Sequence, residues 1–331
     1  MKEFLKKQYP NTEISIGYVK SGKVDFRGLL RTNDDIIEID NSDSLFEIGS
    51  INKVFTTNVL AQLIQEGKVK SDDLISNFLP QKSLKSTNIS LKRLANHTSG
   101  LPRLPDNFYT IKNYDEKNPY LHYDEMALID YLENYLPSIS NTESKFEYSN
   151  LGSGLLGYVI SKIENAAFEK VVKKRIFEPL QMNASSFDIN QKKNSVIGLN
   201  KDGQPSDNWE GGILSGCIGI ISSAKDMTKF MCHILDTTNE AANLQLSKTH
   251  KIDDNYHIGL GWGIKTLPDG SQSYNHGGGS DGYSCYMKLH RASESGVIIL
   301  TNVSAFNESQ GGIKGLVDEF REILREIDTK Y

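Results

Sequence analysis

Ser50 and Lys53 are the residues of this chain best placed, by type and spacing, to do chemistry. They open a long run in which Val54, Phe55, Val59, Leu60, Leu63 and Ile64 fall on one broad helical face before Gly67 ends it. Residues i and i+3 of a helix share a face, so the serine hydroxyl and the lysine amine are expected to point the same way. A serine is a poor nucleophile until a neighbouring base takes its proton, and a desolvated lysine is such a base. A second S-x-x-K, Ser222-Ser223-Ala224-Lys225, reads instead as a helix N-cap ahead of Asp226, Met227, Phe230 and Met231. A motif this short identifies a nucleophile only in company.

Two further motifs supply the company. Tyr148-Ser149-Asn150 precedes a glycine-rich apolar segment, Leu151 to Gly157, and His276-Gly277-Gly278-Gly279 lies between a strand and the alternating segment Tyr283 to Leu289. Singly they are ordinary: a lone tyrosine on a helix flank is usually packing, and His257-Ile258-Gly259 repeats the H-x-G pattern. His97, inside His97-Thr98-Ser99-Gly100-Leu101-Pro102, is read as structural because Lys53 and Tyr148 already supply a base.

In the order S-x-x-K, Y-x-N, H-x-G, the chain resembles the serine β-lactamase and penicillin-binding-protein superfamily. The nearest branch holds class C β-lactamases, DD-peptidases, D-aminopeptidases and related esterases. Ile89 to Leu94 followed by His97 to Pro102, Gly219 to Met227, Gly259-Leu260-Gly261-Trp262 and Leu300-Thr301-Asn302 are similar to further segments of that branch. The resemblance runs from about Ile14 to the C-terminal helix. It implies an acyl-enzyme hydrolase with Ser50 as nucleophile, and Lys53 and Tyr148 as the proton network serving it and the leaving group. The oxyanion donors would be the N–H groups of Ser50 and Gly279, each worth ~3 kcal/mol in the transition state. Asn150 would meet a substrate amide. His276, Gly277 and Gly278 would form the strand edge beside it.

The elements that must hold these residues read as β, then α, then β. Glu13 to Lys20 and Lys23 to Leu30 form a hairpin across Ser21-Gly22, with a third strand near Ser44 to Ile48. From Ile51 to about Leu180 the pattern is mostly helical, with helices over Asp124–Tyr135, Leu151–Glu164 and Phe168–Arg175 and a loop from Pro102 to Pro119. Asn183 to Gly212 is loop-like. Strands return at Ile258–Thr266, Ser273–His276, Gly282–Leu289 and Gly296–Thr301, and Gly315 to Ile327 reads as an amphipathic helix. Neither group of strands alone makes a stable layer, so they are expected to pair in one antiparallel sheet. The fold class is therefore α/β (α+β), of β-lactamase/DD-peptidase type, with helices flanking the sheet. Residues 1–70 and 190–331 are expected to form an α/β lobe and residues 71–189 a mostly helical one, with the site between them.

Composition fits an enzyme and excludes several other classes. Of 331 residues, 38% are hydrophobic, enough for a sizeable core, and the net charge of −5 with both signs interspersed does not suit nucleic acid. No apolar run approaches membrane-spanning length, and the charged start, Met1 to Lys7, lacks the apolar core of a signal peptide. The chain as written is expected to be cytoplasmic, or exported if a leader was removed. Cys217, Cys232 and Cys285 are too scattered for a metal site or a disulfide framework, and no metal or cofactor is expected. The partner is a small-molecule or peptide substrate.

Class C β-lactamases carry Lys-Thr-Gly where His276-Gly277-Gly278 stands, and histidine there is similar to the DD-peptidase, D-aminopeptidase and esterase relatives. Nor is there a sign of the glutamate-bearing loop that class A enzymes use to activate water. The expected activity is hydrolysis of a peptide or amide containing D-residues, with penicillins forming a slow-turning acyl-enzyme. A carboxylesterase or class C-type β-lactamase is the alternative on the same machinery. A non-catalytic penicillin-binding or ligand-sensing protein is the alternative of another class, and it would have no use for a base beside Ser50.

Overall fold

The structure is a computed structural model and describes residues 1–136, 145–189, 194–307 and Asp318. Helix α1 (Lys2–Lys6) precedes the hairpin of β1 (Glu13–Lys20) and β2 (Lys23–Arg31), and β3 (Ile36–Ile39) follows. Ser21 and Gly22 both take positive φ, 46° and 75°, which suits the two-residue turn of a twisted hairpin. Next come β4 (Phe46–Glu47), a 3-10 turn over Gly49–Ile51, and α2 (Asn52–Gln65). The helical middle holds α3 (Leu91–Ala95), α4 (Glu125–Asn134), α5 (Asn150–Glu164) and α6 (Phe168–Val172), which runs on as a π turn over Lys173–Phe177. β5 (Ile221–Ser222), α7 (Ala224–Leu235) and α8 (Glu240–Gln245) lead to six strands: β6 (His250–Lys251), β7 (Tyr256–Ile258), β8 (Gly263–Thr266), β9 (Gln272–Gly279), β10 (Ser284–His290) and β11 (Ser295–Thr301).

The sheet has nine strands in the order β3-β2-β1-β11-β10-β9-β8-β7-β6. The first and last strands of the described chain meet at its centre, where β1 and β11 pair antiparallel from Ile14 opposite Thr301 to Lys20 opposite Ser295. Period-2 alternation assigns their side chains to two cores. Ile14, Ile16, Val297 and Ile299 pack with Phe4 and Leu5 of α1 on one face, while Ile298 and Leu300 join the large core under α2, α5 and α7 on the other.

Several expectations change in detail. The strand expected near Ser44 to Ile48 is only two residues long and pairs with β5, away from the large sheet. The strand expected over Ile258–Thr266 is split into β7 and β8 by a turn in which Gly261 has φ 75°. The edge strand β3, Ile36-Ile37-Glu38-Ile39, was not expected, because it is short and its apolar residues do not alternate. The helix expected over Gly315 to Ile327 lies outside the described residues except for Asp318. Among the described residues, no helix is long and apolar enough to cross a membrane.

The largest difference concerns α2. The sequence reads as a helix with one apolar face, yet every residue from Asn52 to Ala61 is buried. Its polar residues reach tertiary partners instead of water. Asn52 Nδ2 donates to the Ser215 carbonyl at 2.8 Å, Thr56 Oγ1 to Gly216 O at 2.7 Å and Thr57 Oγ1 to Leu260 O at 2.8 Å. Gln245, itself fully buried, closes this network. Its Nε2 donates to Val54 O at 2.7 Å and to Thr57 Oγ1 at 2.8 Å, and its Oε1 accepts from Asn58 Nδ2 at 3.0 Å. Buried polar groups are costly only when a partner is removed. Replacing Gln245 by leucine should therefore lower unfolding stability by roughly 3 kcal/mol in a urea titration, with little change in kcat, because Gln245 touches the back of α2 rather than the site.

Candidate active site

The 3-10 turn carrying Ser50 is wedged against the far end of β9. Strand β8 stops pairing with β9 at Asn275, so residues 276–279 have a strand neighbour on one side only, β10. Ser280 N donates to Tyr283 O at 2.9 Å. Hydrogen-bonded pairs alternate along an antiparallel ladder, so the N–H of Gly279, one residue earlier, points away from β10 and toward the Ser50 turn. The approach leaves no room for side chains. A Cβ on Gly49, whose φ is 49°, would stand 2.4 Å from Gly279 N, and one on Gly278 would stand 2.0 Å from Ile48 O. The glycines expected to admit substrate thus also admit the turn itself. Cys285 Sγ, on β10, donates to Ile48 O at 2.9 Å and pins the turn from below.

Ser50 precedes α2 by two residues rather than beginning it, but the expected facing of serine and lysine holds. Lys53 Nζ lies 2.9 Å from Ser50 Oγ, within reach for direct proton transfer. The Lys53 side chain is buried, at 1% exposure, and its Nζ also donates to Cys217 O at 3.1 Å. Its remaining side faces the ring of Tyr148, 5.0 Å from the centroid. The other S-x-x-K does not form such a pair. Ser223 caps α7 by accepting from Asp226 N, while Lys225 pairs with Asp43 at the surface at 3.0 Å.

Tyr148 is held by the loop that follows α3. His97, with φ 60°, accepts from Ser149 N through Nδ1 at 3.2 Å, and its own carbonyl accepts from Glu147 N at 2.8 Å. Ser149 Oγ donates to Pro102 O at 2.6 Å, and the Arg103 carbonyl accepts from Asn150 N at 3.0 Å and Leu151 N at 3.1 Å. Residues 97–103 therefore fix Tyr148 from both sides along the chain, and the His97 ring stacks obliquely on it at 4.4 Å. Burial, with Lys53 and His276 nearby, holds His97 well below the ordinary histidine value. With Nδ1 accepting, it is a neutral clamp.

His276 lies 6.4 Å from the Tyr148 ring, centroid to centroid. Its Nδ1 is 2.7 Å from Gly277 O, so a neutral ring keeps its proton there and presents Nε2 as an acceptor. Burial and the charge of Lys53 push it down to about 4. Asn150 is buried at the first turn of α5, with Nδ2 donating to Tyr120 Oη at 2.8 Å and Oδ1 unpartnered. A cavity of about 450 Å³ opens at Ser50 and is lined by Tyr148, His276, Gly277 and Asn275, whereas Asn150 and Gly279 lie outside that lining.

The sequence model of the family described as Beta-lactamase matches residues 19–320. This chain belongs to the β-lactamase family. A Beta-lactamase-like protein 2 of Dictyostelium discoideum is 31% identical over 236 residues, 64% of this chain, and the match spans only 41% of that protein's length. A class C β-lactamase from Rhodobacter sphaeroides superposes with a TM-score of 0.77 at 21% identity, covering 97% of both chains. A β-lactamase/D-alanine carboxypeptidase from Pseudomonas syringae gives 0.75 at 20%, covering 91% of each. At such identities the structural likeness concerns the fold, a large antiparallel sheet flanked by helices. Among the described residues no group of three or more His, Cys, Asp or Glu is arranged to hold a metal ion.

Within this family frame, two residues escaped sequence reasoning. Arg103 carries no motif, yet its guanidinium carbon lies 5.5 Å from the Tyr148 ring centroid. Glu47, three residues before Ser50, is 3% exposed, and its Oε1 accepts from Asn208 Nδ2 at 2.7 Å and Trp209 N at 2.8 Å. Its Oε2 is buried beside the Ser280 hydroxyl, which favours the carboxylate form. The only signal for Glu47 was a carboxylate set between Phe46 and Ile48 in an otherwise apolar stretch.

Burial pushes the Glu47 carboxyl up to about 7 against the hydrogen bonds it accepts. A raised acid favours folding while protonated, and that contribution is lost as pH rises from its unfolded value through about 7. His97 and His276, both lowered, act oppositely and lose stability as pH falls below the ordinary histidine value. Relative to Glu47→Gln, which keeps the accepting oxygen and the same histidines, the wild type should therefore lose thermal stability as pH rises from about 4.5 to about 7. The loss is on the order of 3 kcal/mol at the alkaline end. A second expectation concerns the turn. Gly278→Ala should lower kcat by about 100-fold or more, measured beside circular dichroism, because displacing the Gly279 N–H removes one donor from a developing oxyanion.

Proposed function

We propose that this chain is a serine hydrolase in which Ser50 is transiently acylated. The observation that carries this reading is the 2.9 Å contact between Lys53 Nζ and Ser50 Oγ in a turn seated against the Gly279 N–H. Lys53 and Tyr148 take the hydroxyl proton as Oγ attacks the acyl carbon, and Tyr148 delivers a proton to the departing group. Negative charge that develops on the acyl oxygen falls between the N–H groups of Ser50 and Gly279, where fixed dipoles stabilise it without reorganising. Water then attacks the ester, with the same network acting as base. Asn150 offers its unpartnered Oδ1 to an amide N–H of the acyl portion. A neutral His276 lines the strand edge in place of a lysine, and Gly277 and Gly278 leave that edge bare.

The proposed substrate class is a peptide or amide with D-residues. The likeness in fold to the β-lactamase/D-alanine carboxypeptidase of Pseudomonas syringae and the histidine at position 276 support it. Penicillins are expected to acylate Ser50 and leave slowly, because the opened ring stays tethered where water must enter. The family membership itself favours the second reading, a β-lactamase or carboxylesterase using the same residues.

Intact-mass spectrometry after incubation with benzylpenicillin and with a fluorophosphonate should show single adducts, mapped to Ser50 and absent in Ser50→Ala. A label on Ser222 would overturn the assignment. Rapid nitrocefin turnover, matching the best D-alanyl peptide or ester, would move the protein to the second reading. Lys53→Ala and Tyr148→Phe should each lower kcat by roughly 100-fold or more with small effects on KM. Together they should lose less than the sum of their separate effects, since both serve one proton network.

A further inference from the structure

Beyond that reading, and resting on it, the cavity beside Ser50 contains a cation with no assigned task. Arg103 lines the same cavity as Ser50, Tyr148 and His276 and is exposed to it. No carboxylate of the described residues lies within 4.0 Å of its guanidinium, and its only recorded side-chain contact is with the face of Tyr148. Two other arginines show the contrast: Arg175 is committed to Glu66 and Glu164, and Arg93 to the Thr98 and Asn88 carbonyls. The Arg103 backbone is fixed, since its carbonyl receives both Asn150 N and Leu151 N at the start of α5. A guanidinium anchored by its backbone and free at its tip is preorganised for a planar anion at little entropic cost.

The location assigns it to one end of the substrate. The cavity includes His276 and Gly277 but neither Gly279 nor Asn150, so it extends from Ser50 toward Tyr148 and not toward the acyl side. Tyr148 is the proton donor to the departing group, so this is where that group sits. Lys53 cannot meet an anion there, being buried and bonded to Ser50 and Cys217, and His276 is neutral. Asp318, the other charged residue of the lining, has the opposite sign.

We propose that Arg103 is a specificity-determining residue that selects substrates whose leaving group carries a carboxylate. A peptide bond to a C-terminal residue has such a leaving group, and so does a carboxyphenyl ester. In the test reaction the acyl–oxygen bond of the ester breaks as the bond to Ser50 Oγ forms, and the serine proton passes through the Lys53 and Tyr148 network to the departing phenolate. Water then releases acetate and restores the serine.

The experiment compares meta-acetoxybenzoate with meta-acetoxybenzamide, which share the reacting ester and differ in the charge of the leaving group. The wild type should prefer the benzoate, and Arg103→Ala should lower kcat/KM for it by roughly 10- to 100-fold, chiefly through KM. Turnover of the benzamide should change less than about 3-fold, which also shows that the variant is folded. Arg103→Lys should recover part of the loss, having the charge without the fork. Equal losses on both esters would mean that Arg103 only positions Tyr148, and unchanged rates on both would mean that it touches neither; either result overturns the inference. If the wild type hydrolyses neither ester and Ser50 takes no fluorophosphonate label, the hydrolase reading fails and this inference falls with it.

Discussion

The contact between the Gly49–Ile51 turn and the unpaired end of β9 is the constraint on which the rest of the site depends. Two backbones meet there with no side chain between them, because a Cβ on Gly49 or Gly278 would overlap main-chain atoms of the other segment. Interiors are packed too tightly for such an overlap to be absorbed without moving one element. The turn sets where Ser50 Oγ stands, and β9 sets where the Gly279 N–H points. Separate them by an ångström and the Ser50 hydroxyl and the Gly279 N–H no longer address one point.

Most of the surrounding structure keeps these two segments in register. β10 holds β9 from one side, and Cys285 Sγ reaches through to Ile48 O. Behind the turn, α2 is buried around nearly its whole circumference, and Asn52, Thr56, Thr57 and Asn58 each reach a tertiary acceptor. A helix bound by directional hydrogen bonds cannot rotate or slide as one packed by hydrocarbon alone could, so specificity of position is gained along with stability. The same logic governs the 97–103 loop, whose hydrogen bonds to residues 147–151 place Tyr148 over Lys53.

The electrostatics follow from that packing. Burial first, and the neighbouring Lys53 second, keep the imidazoles of His97 and His276 neutral. Two cations, Lys53 and Arg103, approach the ring of Tyr148, but one is buried and bonded to the nucleophile while the other is open to the cavity. Glu47 sits on the far side of the turn, close to protonation balance at neutral pH, because its carboxyl is desolvated faster than its hydrogen bonds compensate.

What the sequence determined by itself was everything governed by short-range rules. The pairing of Ser50 with Lys53 follows from helical periodicity, the hairpin from Ser21-Gly22, the cap of α7 from Ser223, and the family from the order of motifs along the chain. Local rules failed where a neighbour distant in sequence set the answer. The apolar face read from α2 was an underestimate, because nothing near Asn58 announces that Gln245 will satisfy it. Arg103 and Glu47 had no periodicity or motif to mark them. Their significance comes from lying within reach of Tyr148 and of the Asn208–Trp209 loop, separations of tens to hundreds of residues that only the folded chain closes. Tertiary structure alone decided which glycines face a backbone, which histidines stay neutral and which cation is left without a partner, since each is a property of burial and distance rather than of residue order.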